Sequence, residues 1–163
     1  MVRLLLEKGG RSNPCRHKRT RSYPVGSQKR SSTGGNLDLA DELYAPDYVL
    51  HDPSLPETLH GPEGIKQYAA ISLGAFPDAR VTVEDQVAEG DKVVSRWTAT
   101  GTHTGELMGI APTGRSIEIS GITINRFSGG KIAEDWYQSD DLGMMQQLGV
   151  IPSEETSEEA SPT

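Results

Sequence analysis

Four segments in the second half of this chain constrain its fold most, because each has the pattern of a β-strand. Residues 81–87 and 116–127 alternate between apolar and polar side chains, and residues 92–104 are rich in Val, Thr and Trp. Residues 131–139 are the last predicted strand, after a glycine turn. Glu89-Gly90-Asp91 and Ser128-Gly129-Gly130 are short turn signals between neighbouring segments. The pattern predicts an antiparallel meander from about residue 80 to residue 139.

Helical patterns flank this meander. Residues 36–44 begin with the capping residue Asn36 and end before Pro46, residues 61–74 begin with Gly61-Pro62, and residues 142–149 form one or two closing turns. A short extended segment at residues 48–51 lies between the first two helices. Helices followed by a meander predict an α+β fold, in which a curved antiparallel sheet wraps around N-terminal helices and encloses an apolar pocket.

Charge divides the chain into three zones. Residues 1–35 contain nine of the 16 Lys and Arg but one of the 23 Asp and Glu, and residues 152–163 are rich in Ser, Glu and Pro. We expect both ends to be disordered and residues 36–151 to fold as one domain. Residues 36–163 carry seven basic against 22 acidic side chains, which argues against nucleic-acid binding. No stretch approaches the roughly 18 apolar residues that suggest a membrane span.

Metal and disulfide chemistry have little support in the sequence. Cys15 is the one cysteine, so an internal disulfide is excluded and a reducing, cytoplasmic setting is expected. The four histidines lack the spacing of a helical metal pair, and no nucleotide-binding glycine motif is present. We therefore expect neither a metal nor an organic cofactor.

A set of short segments, in order and well spaced, carries a family resemblance. They are residues 36–47, His51-Asp52-Pro53, residues 61–65, residues 100–105 with 109–114, and residues 136–143 with 147–149. Together they resemble the SnoaL-like ester (polyketide) cyclases, within the wider ketosteroid-isomerase-like cone fold. The resemblance covers about residues 36–151.

The resemblance implies a reaction and a catalytic residue. Characterised cyclases of this kind close a polyketide ring by an intramolecular aldol step, in which an aspartate removes and returns a proton without a cofactor. The corresponding stretch here contains Trp136, Asp140 and Gly143. Many relatives carry a histidine where this chain has Asp135, and a clear counterpart to the histidine that assists the aspartate is missing. Asp140 is thus the predicted general acid/base.

Strand alternation places Asp140 in phase with Trp136, so both are predicted to line the pocket. A carboxylate beside an indole in an apolar cone would have a raised pKa. The alternative is that Asp140 caps the closing helix, although Asp141 looks the better cap. His51 either assists Asp140 or contacts a substrate carbonyl from the pocket rim; otherwise the adjacent turn satisfies it.

Arg96 and His103 are alternative substrate-binding residues, because they lie on opposite faces of one predicted strand and only one face can line the pocket. An inward Arg96 could hold a carboxylate or an enolate. Trp136 is a candidate substrate platform, although buried tryptophans belong more often to the core.

The leading functional hypothesis is a cyclase or isomerase that acts on a small hydrophobic ketone or ester, with a homodimer as the expected assembly. An epoxide-hydrolase-like enzyme would need an arginine between two acids in the pocket, and a binding module would need no acid there at all.

Residues 1–35 have a further interpretation. Regrouping permitted codons of residues 26–33 by one base gives Phe-Ala-Glu-Glu-Val-Leu-Asn, which resembles the relatives' first helix. A shifted reading frame is thus one explanation of this segment, and a genuine basic arm for nucleic acid or a membrane is the other.

Overall fold

A six-stranded sheet dominates the computed structural model, which describes residue 37 and residues 39–152. Its strands are β1 (Tyr44–His51), β2 (Leu59–His60), β3 (Arg80–Glu89), β4 (Lys92–Thr102), β5 (Ser116–Ser128) and β6 (Lys131–Ser139), and its helices are α1 (Leu39–Leu43), α2 (Gly61–Ala75) and α3 (Asp141–Leu148). The spatial order is β2-β1-β6-β5-β4-β3. The predicted α+β fold with a curved sheet and N-terminal helices is confirmed; the sheet is not closed into a barrel.

The predicted meander is confirmed as β3 to β6, in which all neighbouring pairs are antiparallel. Gly90 turns the first hairpin with φ of 61°, a conformation that glycine adopts without a steric penalty. The pairing of β1 with β6 is parallel and was not predicted. It brings the first and last long strands side by side.

The start of the domain differs from the sequence prediction. The first helix was expected to extend to residue 44, but α1 ends at Leu43 and Tyr44 already belongs to β1. Pro46 lies within β1 where the pairing with β6 shifts register between Tyr44 and Val49. Proline fits an irregular position of this kind, because no ladder hydrogen bond is required there. The predictions for residues 1–35 and 153–163, including the frame-shift interpretation, lie outside the described residues.

Two apolar clusters form the core between the sheet and the helices. One contains Ala75, Phe76, Trp97, Leu107, Ile117, Ile119 and Leu148, and the other contains Ala40, Tyr44, Tyr48, Leu50 and Ile132. Tyr137 packs against both clusters. The strands and α2 surround a cavity that residues of both clusters line, and this cavity is considered below. None of the described helices combines the length and apolarity that a membrane crossing requires.

Candidate active site

A bulge in β6 decides which side chains reach the interior. Arg126 of β5 pairs with Glu134 and Phe127 pairs with Ile132, so Ala133 is an extra residue on β6. Such a bulge reverses the alternation of side chains on the two sides of it. As a result Ile132, Asp135 and Tyr137 all contribute to the interior, whereas Glu134 and Trp136 lie on the outer face.

The inner cavity has a volume of about 210 Å³ and a mainly apolar lining. Its lining residues come from β1, α2 and β3 to β6, and they are Tyr44, Leu50, Ile65, Tyr68, Ala69, Ser72, Leu73, Val81, Trp97, Ala99, Thr123, Asp135 and Tyr137. Asp135 is the only ionisable carboxylate among them. A single acidic group in an apolar chamber is a typical arrangement for acid/base chemistry.

Two donors fix the Asp135 carboxylate, which is 5% exposed. The Tyr48 hydroxyl donates to Oδ2 at 3.0 Å, and the Asn125 side-chain amide donates to Oδ1 at 2.6 Å. Burial raises the pKa of Asp135 to about 6, because the anion loses its hydration, and the two hydrogen bonds act in the opposite direction. The group is thus held in one orientation and titrates close to neutrality.

A second, larger compartment of about 510 Å³ adjoins the first. The two share Tyr68, Ser72, Val81, Ala99 and Tyr137 in their linings. The larger one extends towards α3 and the β4–β5 loop, where Leu107, Met108, Asp141 and Met144 line it. The two compartments therefore lie next to each other, and Asp135 lines the smaller one.

Asp140 does not lie on β6, which ends at Ser139. Its side chain is exposed and accepts a hydrogen bond at 2.9 Å from the Gly143 amide as the N-cap of α3. The predicted placement of Asp140 in the pocket is wrong, because the strand stops one residue earlier and the bulge turns the even-numbered residues outward. The expectation that Asp141 would be the cap is also wrong. Catalysis by Asp140 stays a prediction.

His51 and Trp136 both lie on the outer face of the sheet. Their rings stack with centroids 5.4 Å apart, and His51 Nε2 lies 2.9 Å from Glu134 Oε1. The Lys92 ammonium lies 5.5 Å from the centre of the Trp136 ring. Neither His51 nor Trp136 lines the two cavities, so their predicted positions at the pocket are wrong.

Arg96 and His103 are separated as the strand alternation required, but neither lines the cavities. Arg96 is exposed on the outer face of the sheet. The walls of the two cavities described here therefore lack the arginine that an epoxide-hydrolase-like site would need. His103 is fully buried, with Nδ1 accepting from the Thr113 amide at 3.2 Å and its ring 5.3 Å from that of Phe76. His103 is a core residue, and its predicted placement in the substrate pocket is wrong.

Asp135 is the functional candidate that sequence reasoning missed. This position holds a histidine in many relatives, but simple alternation along the strand predicts that Trp136, not Asp135, lies inside. The sequence does indicate that Asp135 shares a face of the strand with Tyr137 and Ser139, because alternate residues point the same way. The bulge at Ala133, which brings Ile132 into the same face, has no clear sequence mark.

Comparison with known proteins agrees with this architecture. A family model described as SnoaL-like polyketide cyclase matches residues 29–148. The chain is 31% identical over 119 residues to nogalonic acid methyl ester cyclase of Streptomyces nogalater, with 71% of this chain and 87% of the relative covered. It is 34% identical over 121 residues to aklanonic acid methyl ester cyclase AcmA of Streptomyces galilaeus, covering 72% of this chain and 82% of that protein.

A solved structure shows the fold independently. A protein with a ketosteroid isomerase-like fold from Catenulispora acidiphila superposes with a TM-score of 0.68 at 22% identity, covering 80% of this chain and 95% of that one. The fold, the family model and the two sequence relatives agree with one assignment. The chain belongs to the SnoaL-like polyketide cyclase family.

Proposed function

We propose that this protein is a cofactor-free cyclase or isomerase of a small activated ketone or ester, with Asp135 as its general acid/base. The observation that carries the proposal is the buried Asp135 carboxylate, which faces an apolar cavity, is oriented by Tyr48 and Asn125, and has a pKa raised to about 6. A group with a pKa near the working pH is effective both as a base and as the acid that it becomes.

The proposed reaction is an intramolecular aldol addition. Ionised Asp135 takes a proton from a carbon next to a carbonyl group, and the C–H electron pair becomes an enolate. The enolate carbon then attacks a second carbonyl group of the same molecule and forms a C–C bond. The resulting alkoxide takes the proton back from Asp135, so the carboxylate is regenerated and no other reagent is consumed.

The geometry of the carboxylate supports this role. Each oxygen of a carboxylate can accept about two hydrogen bonds, and Tyr48 and Asn125 each occupy one position on a different oxygen. Acceptor capacity is left for a substrate C–H or O–H group in the cavity. The combined volume of the two compartments suits a substrate larger than the 210 Å³ chamber, since sites for drug-sized ligands span roughly 300–1,000 Å³.

The direct test compares two aspartates that lie five residues apart. Asp135→Asn is expected to lower turnover roughly 10²–10⁴-fold, because the amide cannot carry a proton between carbon and oxygen. Asp140→Asn makes the same chemical change at an exposed helix cap, where asparagine is about as good a cap as aspartate. We expect that variant to keep wild-type turnover. The test compounds are nogalonic and aklanonic acid methyl esters, and their conversion is measured by chromatography.

Two results would contradict the proposal. Full activity in Asp135→Asn with loss in Asp140→Asn would return the acid/base role to Asp140, as the sequence resemblance implied. Tight binding of both esters by the wild-type protein without turnover would favour a ligand-binding module of the same fold.

A further inference from the structure

We propose that Tyr137 is a second catalytic residue, whose hydroxyl donates a hydrogen bond to the substrate oxygen that becomes negative when the proton is removed. The inference rests on the proposed acid/base function of Asp135. Tyr137 lines both compartments and lies on the same face of β6 as Asp135, two residues away. That spacing is roughly 7 Å along a strand, which a carbon acid and its neighbouring carbonyl oxygen can bridge.

Aromatic contacts hold the Tyr137 ring in one position. It stacks on Trp97 with centroids 5.3 Å apart and planes at 24°, and it meets Tyr68 edge-on with centroids 6.1 Å apart. Trp97 is itself fixed, because its indole N–H donates to the Thr123 hydroxyl at 3.0 Å. A donor fixed before the reaction is what stabilises a developing charge, since no reorganisation is required at that moment.

The Tyr137 proton is shared with neighbouring hydroxyl groups, which a stronger acceptor in the cavity can replace. Tyr137 contacts the hydroxyls of Tyr68 and Ser139. Tyr68 donates its own proton to Asp52 at 3.2 Å, and Ser139 donates to Asp141, so both present oxygen atoms to Tyr137. An enolate oxygen is a stronger acceptor than either hydroxyl, and it would draw the Tyr137 proton into the cavity.

The protonation state of Tyr137 suits a donor and not a base. Burial raises the pKa of Tyr137 to about 12, because the phenolate would be poorly hydrated. The hydroxyl thus stays protonated while Asp135 titrates near pH 6. The two groups divide the work, with Asp135 moving the proton and Tyr137 stabilising the oxygen.

Binding of 2-naphthol tests this role without turnover. A phenol is a stable enol, so the oxygen of 2-naphthol stands in for the enol oxygen of the substrate, and naphthalene is the same ring system without it. Fluorescence titration of wild-type protein and Tyr137→Phe gives both affinities. We expect the variant to bind 2-naphthol about tenfold more weakly, which is the effect of one lost hydrogen bond. Naphthalene affinity should not change, because the phenylalanine ring keeps the contacts with Trp97 and Tyr68.

Three outcomes would overturn the inference: unchanged 2-naphthol affinity in Tyr137→Phe, an equal loss for naphthalene, or no binding of 2-naphthol by the wild-type protein. Because the readout is binding, inactivity on the methyl esters contradicts the proposed function without affecting this test. With an active ester, Tyr137→Phe should lower kcat roughly 10²–10³-fold while the acid limb of the pH profile stays in place.

Discussion

Glu134 and Asp135 are adjacent carboxylates on β6, yet they occupy opposite environments. Glu134 lies on the outer face, where hydrogen bonds from His51 at 2.9 Å and Arg126 at 2.8 Å lower its pKa. Asp135 lies in the core, where burial raises its pKa to about 6. The difference shows that position along a strand does not determine acid strength; the face on which the side chain lies does.

The largest effect expected from this difference is on the pH dependence of catalysis. Asp135 must be ionised to act as the base, so kcat/KM should fall about tenfold for each pH unit below its pKa of about 6. The pH profile of wild-type protein is compared with that of Glu134→Gln, which should keep the same acid limb. A limb that moves in Glu134→Gln would mean that the outer carboxylate controls the rate.

Stability should respond to pH with opposite signs at the two carboxylates. The folded state binds a proton on Asp135 more tightly than the unfolded chain does, so this group costs stability above about pH 6 and the cost is removed as the pH falls towards 3.8. A shift of this size corresponds to at most about 3 kcal/mol. The lowered pKa of Glu134 stabilises the folded protein at neutral pH. This stabilisation is lost as the pH falls below 4.5, the ordinary pKa of a glutamate.

Urea unfolding at several pH values separates these contributions. Wild-type protein is compared at each pH with Asp135→Asn and with Glu134→Gln, so that the other titrating groups cancel. As the pH is lowered from 7 to 5 and below, the free energy of unfolding of the wild-type protein should rise relative to that of Asp135→Asn. A constant difference across that range would contradict the raised pKa of Asp135.

A glycine on the inner face gives a smaller effect of a different kind. Gly121 lies beneath Trp97, and a Cβ atom there would collide with the Trp97 ring and the Gln138 carbonyl oxygen. Gly121→Ala should lower the free energy of unfolding by about 1–3 kcal/mol through overpacking. Ser120→Ala, one residue earlier and exposed, should change it by less than about 0.5 kcal/mol. Equal midpoints in urea for the two variants would contradict the tight packing of Trp97.

The smallest effect is expected on the outer face. His51→Ala removes an ion-pair partner of Glu134 whose side chain is 41% exposed, and pairs of this kind contribute less than about 1 kcal/mol. Turnover should not change, because His51 lies on the side of the sheet away from the cavity. A large loss of kcat in this variant would restore the catalytic role that the sequence suggested.

Much of the fold could be predicted from local patterns, whereas the side chains that line the cavity could not. Turn glycines such as Gly90 and Gly129, and alternation within each strand, determine the hairpins, because these are interactions between near neighbours in sequence. The faces of β6 depend on the extra residue Ala133, which is defined by pairing with β5 and not by its own composition. A one-residue error in phase therefore placed Asp140 and Trp136 inside the cavity and Asp135 outside it.

The family resemblance had the same limit. It predicted the cone fold and the general class of chemistry, which depend on many weak matches spread over the domain. It assigned the catalytic role to Asp140 alone, and the placement of that one side chain depends on where β6 ends. The role itself stays a prediction. Tyr48 and Asn125, which orient Asp135, belong to strands that the pattern identified but could not arrange side by side.

The parallel pairing of β1 with β6 has a consequence for folding. Tyr48 and Asp135 are separated by 87 positions along the chain, so their hydrogen bond closes one of the longest loops in the domain. Contacts of this kind form slowly, because the entropy of loop closure is lost before they are made. During synthesis Tyr48 and Asp135 meet only after β6 has emerged, and a nascent chain that stops before β6 exposes unpaired edges on β1 and β5. Such edges favour association with other chains, so we expect aggregation to compete most strongly with folding before β6 arrives.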